Sequence, residues 1–253
     1  TCQPTCNSGY TVSGTSSCSA GTLTAAMCLR SVSIGGHTVY EDADGWLLLL
    51  SYNHIAGESA YLVPSTAPAP TEAAYSHIWL NDLGVDVNKV ESVRFFCKTT
   101  NHNRVIHFAT ENDWVKRTLR DGSTIGNLVS YWQTEITKFD DHTAYLPDLI
   151  SAASHPVENN LTQQPFWKGA AYHWNVRLDH NVGGTPAIRF ECDDHVGNTH
   201  STVHQIWFKP NPCDASTAPT NGGVGSCTNS LASGSTCQPT CNSGYTVSGT
   251  SSC

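Results

Sequence analysis

The sequence is poor in charged residues and has no long apolar segment. Charged residues make up 13% of its 253 residues and the net charge is −8, so the charged fraction is about half that of a typical domain. Lys and Arg form no cluster, although nucleic acids and anionic membranes both need a concentrated basic patch. The longest apolar run, Trp46–Leu50, has five residues, whereas a transmembrane helix needs about twenty. We therefore expect neither a nucleic-acid partner nor membrane insertion.

The sequence also lacks the motifs of the common catalytic sites. It contains no GxSxG elbow, no HExxH pair and no glycine-rich phosphate-binding loop. Glu111, Asp113, Asp140 and Asp141 could pair as an acid and a base in a cleft, but scattered carboxylates usually face solvent. We therefore predict that the chain is not an enzyme and that it holds no cofactor.

The most informative feature that is present is an internal repeat. Residues Thr1–Cys18, TCQPTCNSGYTVSGTSSC, are identical to residues Thr236–Cys253, so the two copies are 235 positions apart. Such identity is typical of a tandem array, and this period is long enough for each unit to contain whole domains. The alternative is one globular domain flanked by two copies of a common small module. We favour the array, and we expect this sequence to be a segment of a longer repeating chain.

The cysteine count fits this interpretation. The chain has eleven cysteines, an odd number that suggests a free or intermolecular thiol. Because three positions are counted twice in the repeated segment, one period holds eight cysteines, enough for four disulfides. Such a density predicts an oxidising, extracellular or cell-surface environment. Zinc binding is the less favoured alternative, because no CxxC pair occurs.

A cysteine-rich segment spans the boundary between successive copies. It runs from Cys213 to Cys253 and would continue as Ser19–Cys28 of the next unit. With PTNGG before one cysteine and NSGYTVSG after another, it resembles the sushi, or complement control protein, module. Because that family joins its first cysteine to its third and its second to its fourth, the resemblance implies the disulfides Cys213–Cys253 and Cys6–Cys28. The extra pair, Cys227 and Cys237, would then bridge each other locally.

This resemblance divides the chain into three parts. Residues 1–28 would be the C-terminal part of one sushi-like module, residues 29–212 a large globular domain, and residues 213–253 the N-terminal part of the next module. A small segment with few large apolar side chains needs disulfides to remain folded. The resemblance implies that the modules act as stiff connectors. Cys2, Cys18 and Cys241 would have their partners outside this sequence.

The large domain has the pattern of a β-rich fold. Val32–Ile34 and Thr38–Tyr40 flank Gly35-Gly36 and predict a hairpin, and Ser92–Cys97 with Arg104–Ala109 predicts a second. Trp46–Ser51 is continuously apolar, which indicates a central strand buried on both faces. Pro186–Cys192 and Thr202–Phe208 are expected to be the last two strands. Cys97 and Cys192 end two of these strands in similar contexts, FFC and FEC, so we pair them.

Two further features modify this interpretation. Apolar residues at steps of three and four within Gly126–Phe139 are compatible with a short helix. The motifs DADGWLLLLSYNH, SHIWLNDL and ESVRFFCKT, which begin at Asp42, Ser76 and Glu91, are similar to the opening of fibrinogen-like C-terminal domains. That resemblance implies an extracellular α+β domain that often recognises glycans beside a calcium loop. The predicted fold is therefore β-rich or α+β, with small disulfide-stapled β modules.

Several polar groups are candidate sites. His195, His200 and His204 could bind a transition metal, but on a strand His200 and His204 would be about 13 Å apart, too far for one ion. Oxygen ligands for calcium could come from either of two sets, but plain turn chemistry explains both; the sets are Asp193, Asp194 and Asn198, and Glu41, Asp42 and Asp44. Asn160 is the acceptor of the only N-glycosylation sequon, NLT.

Together these patterns predict a structural repeat unit of an extracellular protein that forms a filament, appendage or cell coat. Its partners would be neighbouring copies of itself, because identical units repeat one contact and an interface that does not close produces a helical fibre. The alternative is a glycan-binding adhesin displayed in a multivalent array, with some of the seven Trp side chains stacking on sugars.

Overall fold

The computed structural model describes twelve stretches of the chain. They are residues 4–13, 16–19, 22–24, 26–58, 65–69, 75–120, 136–144, 166–168, 172–182, 185–194, 199–233 and 235–253. In two of the N-terminal strands and in most of residues 166–189 only the backbone is described. Residues 29–212 are called the bead below, and residues 213–253 the C-terminal module.

Strands dominate the described residues, so the predicted mainly-β fold class is confirmed. In chain order the strands are β1 (Thr11–Ser13), β2 (Ser17–Ser19), β3 (Thr22–Thr24), β4 (Met27–Ile34), β5 (His37–Asp42), β6 (Leu47–His54), β7 (Tyr75–His77), β8 (Val90–Thr99), β9 (Val105–Thr110), β10 (Ile136–Lys138), β11 (Phe166–Lys168), β12 (Tyr172–Val182), β13 (Thr185–Cys192), β14 (Thr202–Pro210), β15 (Gly222–Gly223), β16 (Thr236–Cys237), β17 (Thr240–Cys241) and β18 (Ser251–Ser252). The described helices are a 3-10 helix at Val87–Lys89 and α1 at Asp113–Thr118. No helix among these stretches is both long and apolar enough to span a membrane.

Nine of the described strands form the main sheet, which contains β1 as well as strands of the bead, and neighbouring strands are antiparallel. Their order is β1-β4-β5-β6-β14-β8-β9-β10, and β7 pairs with β6. The two predicted hairpins are confirmed as β4–β5 and β8–β9, with Val32 opposite Val39 and Phe95 opposite Phe108. The prediction of a central buried strand is confirmed as well, because β6 lies inside the sheet and all its residues from Leu47 to Tyr52 are buried.

The main sheet is apolar on both faces because its strands alternate between two clusters. One face carries the larger cluster, which includes Val93, Phe95, Phe108, Ile206 and Phe208. The opposite face carries Leu29, Trp46, Leu48, Ala109 and Trp207. Side chains of successive residues in a strand point to opposite faces, which explains why Ile206 and Trp207 belong to different clusters.

A second sheet of three strands, in the order β11-β12-β13, contacts the larger cluster. Trp174 lies edge-on to Phe95 with ring centroids 5.7 Å apart, and its indole N–H donates to the Phe96 carbonyl at 3.2 Å. Phe190 stacks on His54 at 3.9 Å. The predicted last two strands, β13 and β14, both exist, but they belong to different sheets.

The smaller cluster contains a buried arginine. The Arg94 guanidinium lies 4.9 Å from the ring centroid of Trp46 and 4.5 Å from that of Trp207, and its Nη1 is 2.7 Å from Asp42 Oδ2. Arg94 thus combines a cation–π contact on each indole with a charge-assisted hydrogen bond. The other Asp42 oxygen accepts the backbone N–H groups of Asp44 and Trp46, which fixes the turn between β5 and β6.

The hairpin turn at Gly35 requires glycine for two reasons. Its φ is +57°, a conformation that L-residues with a Cβ rarely adopt. A Cβ at this position would also lie 2.4 Å from the carbonyl oxygen of Leu83. The β4–β5 hairpin can therefore approach the Leu83 backbone only because residue 35 has no side chain.

The C-terminal module has its own small core. Its strands form the pairs β15–β17 and β16–β18. The buried residues of its cluster are Cys227, Leu231 and Cys237, with Ala215 and Cys253 packed against them. Because disulfide sulfur supplies much of this apolar volume, the module depends on its bridges more than the bead does.

The expected helix in Gly126–Phe139 is wrong at its described end. Residues 126–135 lie outside the described stretches, but Ile136–Lys138 form β10, which pairs with β9. The three-residue spacing of Ile136 and Phe139 is instead compatible with an extended chain, because Ile136 packs against the larger cluster and Phe139 against the smaller one.

Candidate junction between copies of the chain

Four disulfides link eight of the described cysteines, and they are the four pairs expected from the sequence. Cys6–Cys28 and Cys97–Cys192 have Cα–Cα distances of 5.5 and 5.8 Å. Cys213–Cys253 and Cys227–Cys237 have distances of 5.5 and 5.0 Å. All four distances are ordinary for disulfides. Cys97–Cys192 joins β8 of the main sheet to β13 of the second sheet.

The repeated segment is bonded differently in its two copies. In the first copy, Cys6 is bonded to Cys28. In the second copy, the equivalent residue, Cys241, is a half-buried free thiol, while Cys237 and Cys253 are bonded to Cys227 and Cys213. Cys2 lies outside the described residues, and the side chain of Cys18 is not described.

The strand pairing of the two copies also differs. In the first copy, β1 pairs with β4, so that Thr11 lies opposite Leu29 and Val12 opposite Cys28. β4 itself runs across the predicted domain boundary between residues 28 and 29 and pairs with β5 on its other side. The equivalent of β1 in the second copy, residues 246–248, is not in a strand.

Side-chain exposure follows the same difference. Tyr245 and Val247 of the second copy are 57% and 41% exposed, whereas their equivalents Tyr10 and Val12 are only partly exposed. The Tyr10 ring lies 5.7 Å from the guanidinium of Arg30 in β4. A hydrogen bond to Glu41 raises the pKa of Arg30, so Arg30 offers this ring a firmly held positive charge.

Two of the three histidines considered for a metal, His200 and His204, lie in the described structure, and they belong to no metal-binding group there. His195 lies outside the described residues, and His200 precedes β14. His204 is fully buried, its Nε2 donates to the Glu191 carbonyl at 2.9 Å, and burial lowers its pKa to about 4. The described stretches hold no group of three or more His, Cys, Asp or Glu residues suited to a metal ion.

The first calcium candidates are Asp193 and Asp194, which are buried and hydrogen-bonded to protein groups. Arg104 donates to the Asp193 carboxylate, and its Nη2 donates to the Asp193 carbonyl at 2.6 Å. Asp194 accepts from the Cys192 backbone N–H and from the Asn101 amide, both at 3.1 Å. Asn198, the third candidate of this set, lies outside the described residues. The two carboxylates therefore tie the end of β13 to the β8–β9 loop.

The second calcium set is likewise engaged by protein groups. Glu41 forms an ion pair with Arg30, and Asp42 binds Arg94 as described above. Asp44 is exposed. The turn chemistry that the sequence also allowed accounts for the contacts of Asp42, whose side chain accepts from the backbone two and four residues later.

None of the contacts in the described structure joins two of the four acidic residues considered for catalysis. Asp113 pairs with Lys116 on α1 at 2.8 Å, and Glu111 and Asp140 are exposed. Asp141 Oδ1 lies 2.6 Å from His107 Nδ1. Burial lowers the pKa of His107, although its hydrogen bond to Asp141 acts in the opposite direction.

The aromatic residues considered for sugar binding serve the core where they are described. Trp46, Trp79, Trp174 and Trp207 are all buried. The side chains of Trp114, Trp132 and Trp167 are not described, and Asn160 of the sequon lies outside the described residues.

Sequence reasoning missed two features. It assigned Thr11–Ser13 to the cysteine-rich segment, whereas these residues form an edge strand of the bead's sheet. It also missed the buried Arg94, which lies between Val93 and Phe95 in β8. A charged residue inside an otherwise apolar strand would have been the available signal, although its partner, Asp42, is distant in sequence.

Comparisons with protein-family models, with curated proteins and with solved structures found no match. The function must therefore be argued from the chain itself.

Proposed function

We propose that this chain is a structural repeat unit of an extracellular multi-domain protein that forms a filament, appendage or cell coat. The observation that carries the proposal is the repeated segment, whose two identical copies are bonded to the cysteines that flank one bead in the sequence, one copy before it and the other after it. Cys6 is bonded to the start of β4, and Cys253 is bonded to Cys213, shortly after β14. A segment that bonds on both sides of a bead is suited to join one bead to the next.

The disulfides support the extracellular part of the proposal. Four bridges in one chain require an oxidising compartment, and secreted and cell-surface proteins are the usual case. The pairs Cys213–Cys253 and Cys6–Cys28 also agree with the order that the sushi resemblance implies. Identical connectors would place successive beads in the same relative orientation, and a repeated orientation produces a helical assembly.

Electron microscopy of the native material, with helical analysis, tests the proposal. We expect filaments with a regular axial repeat, and density that continues from Cys253 into Ser19 of the next unit. Monodisperse particles in which the chain ends after the second copy of the segment would contradict it.

The second proposal, a glycan-binding module, is favoured less because of where the described Trp side chains lie. The four Trp side chains that are described lie in the core, so a sugar-stacking surface would need the other three. A glycan array distinguishes the two proposals, because a purely structural unit gives no saturable binding. The absence of catalytic activity remains a prediction.

A further inference from the structure

We infer that residues 246–248 form the edge strand of a second copy of the bead, and that Cys241 forms a disulfide with Cys28 of that copy. This inference rests on the proposed function and specifies how the units are joined. The partner is therefore a second copy of this chain, engaged through the start of its β4.

The segment already has the local shape that it needs for this contact. In the first copy, the Tyr10 N–H donates to the Asn7 carbonyl at 3.1 Å, and Gly9 has a φ of +87°. In the second copy, the Tyr245 N–H donates to the Asn242 carbonyl, also at 3.1 Å, and Gly244 has a φ of +91°. The same turn thus forms in both copies. Because it is already ordered, the contact loses little conformational entropy in this turn.

What differs is the surface beyond the turn. Tyr245 and Val247 are two of the four large hydrophobic residues that are exposed in the described structure. Their equivalents in the first copy are covered more fully beside β4. The free thiol of Cys241 precedes this turn at the position where Cys6 is bonded in the first copy. The second copy therefore presents a thiol, a turn and two apolar residues whose equivalents in the first copy are in contact with β4.

The acceptor surface is defined by the first copy. Thr11 lies opposite Leu29 and its hydroxyl donates to the Leu29 carbonyl at 3.2 Å. The equivalent register places Thr246 opposite Leu29 of the second bead, and Val247 opposite Cys28. Arg30 of that bead, held by Glu41, would lie beside the Tyr245 ring. Without this strand, β4 would be an exposed edge, which is prone to pair with other chains.

Formation of the bond is a thiol–disulfide exchange. The Cys241 and Cys28 thiols lose two protons and two electrons, and a low-molecular-weight disulfide such as oxidised glutathione accepts them and becomes two thiols. In each step a thiolate attacks a disulfide sulfur and releases the leaving thiolate. The extracellular setting of the proposed function supplies such an oxidant.

A chain of two copies, in which residues 1–253 continue directly into a second set of residues 19–253, tests the inference. Each chain carries Ser8→Thr at an exposed position, which gives the Cys6 peptide a mass different from that of the otherwise identical Cys241 peptide. It is folded in a glutathione redox buffer, alkylated without reduction and digested at acidic pH for mass spectrometry. In the single chain we expect Cys241 to be fully alkylated. In the two-copy chain we expect the alkylated fraction of this cysteine to fall to about half, because only the second Cys241 lacks a partner.

A pair of matched variants identifies the partner. Cys28→Ser in the second copy should restore full alkylation of Cys241. The same substitution in the first copy should leave the alkylated fraction of Cys241 unchanged, and Cys6 should become alkylated instead. Hydrogen exchange supplies a second readout. At the internal junction, where residues 246–248 would pair with β4, their amides should exchange more slowly than at the chain end, by a factor of about ten or more.

Full alkylation of both Cys241 residues in the two-copy chain would overturn the inference, as would a disulfide from Cys241 to any cysteine other than Cys28. These outcomes are independent of the proposed function. If the native material forms no filaments but Cys241 binds Cys28, the junction stands and the filament proposal fails. If filaments form while Cys241 stays free, the units are joined differently.

Discussion

At the scale of single residues, two histidines couple the stability of the bead to pH. His77 lies in β7 with its Nδ1 hydrogen-bonded to the Tyr52 hydroxyl at 2.8 Å, and His204 lies edge-on to Trp174. Burial lowers the pKa of each from 6.5 to about 4. Because a neutral imidazole fits these sites and an imidazolium does not, protons bind preferentially to the unfolded chain.

The free energy of unfolding should therefore be greatest above about pH 6.5 and should decline as the pH falls towards 4, by roughly 3 kcal/mol for each of these histidines. His204→Gln keeps an N–H donor for the Glu191 carbonyl but has no titrating group. Its free energy of unfolding should therefore decline less with falling pH, by the part that His204 contributes. Urea titrations at pH 7 and pH 4.5 measure the difference. His37→Gln, at a partly exposed position, is the control, and an undiminished decline in His204→Gln would refute the explanation.

The same histidine shows what sequence can and cannot reveal about a residue. The spacing of His200 and His204 was enough to argue against a shared metal ion. It could not indicate that His204 is fully buried beneath the second sheet, because that burial depends on Trp174 and Glu191, which are distant in sequence. The ion pairs of Asp193 and Asp42 with Arg104 and Arg94 were hidden for the same reason.

At the scale of elements, the β4–β5 turn provides a matched pair of glycines. Both have positive φ, +57° at Gly35 and +83° at Gly36, but a Cβ at Gly35 would meet the Leu83 backbone, whereas one at Gly36 has no atom within 4 Å. Gly36→Ala should cost about 1 kcal/mol through backbone strain alone. Gly35→Ala should cost about 2–4 kcal/mol because the clash adds to the strain.

Urea denaturation followed by tryptophan fluorescence measures both costs. Equal losses of stability in the two variants would mean that the hairpin moves away from Leu83 easily, and the close approach would then have little energetic importance.

The elements that sequence predicted are those with regular periodicity. The β4–β5 and β8–β9 hairpins have two-residue alternation or a glycine turn, and β6 has an unbroken apolar run. β12 was missed even though Tyr172, Trp174, Val176 and Leu178 alternate with polar residues; a register shift between Arg177 and His180 interrupts its pairing with β13. β1 was assigned to the wrong structural neighbour, since its three residues carry no information about which strand they pair with.

At the scale of the whole molecule, two disulfides of very different loop length distinguish the bead from the C-terminal module. Cys97 and Cys192 are 95 residues apart, whereas Cys227 and Cys237 are 10 apart. Chain entropy gives stabilisations of nearly 5 and about 3 kcal/mol. Cys97→Ala with Cys192→Ala should lower the bead's thermal transition strongly, and Cys227→Ala with Cys237→Ala should leave it unchanged.

Tryptophan fluorescence reports this transition selectively, because all seven Trp residues lie between positions 29 and 212. If both double variants lower the transition equally, the module and the bead unfold as one cooperative unit, and the predicted division of the chain at residues 212 and 213 is wrong.

The Cys213–Cys253 bond has a mechanical consequence for such an array. A pulling force that leaves the bead after β14 would pass through this bond and bypass the chain between the two cysteines, which are 40 positions apart. If Cys227–Cys237 were reduced as well, the bypassed chain would otherwise lengthen by roughly 130–140 Å when fully extended. The Cys213–Cys253 bond therefore limits the extension of each connector, which becomes a long, compliant tether once both of its disulfides are reduced.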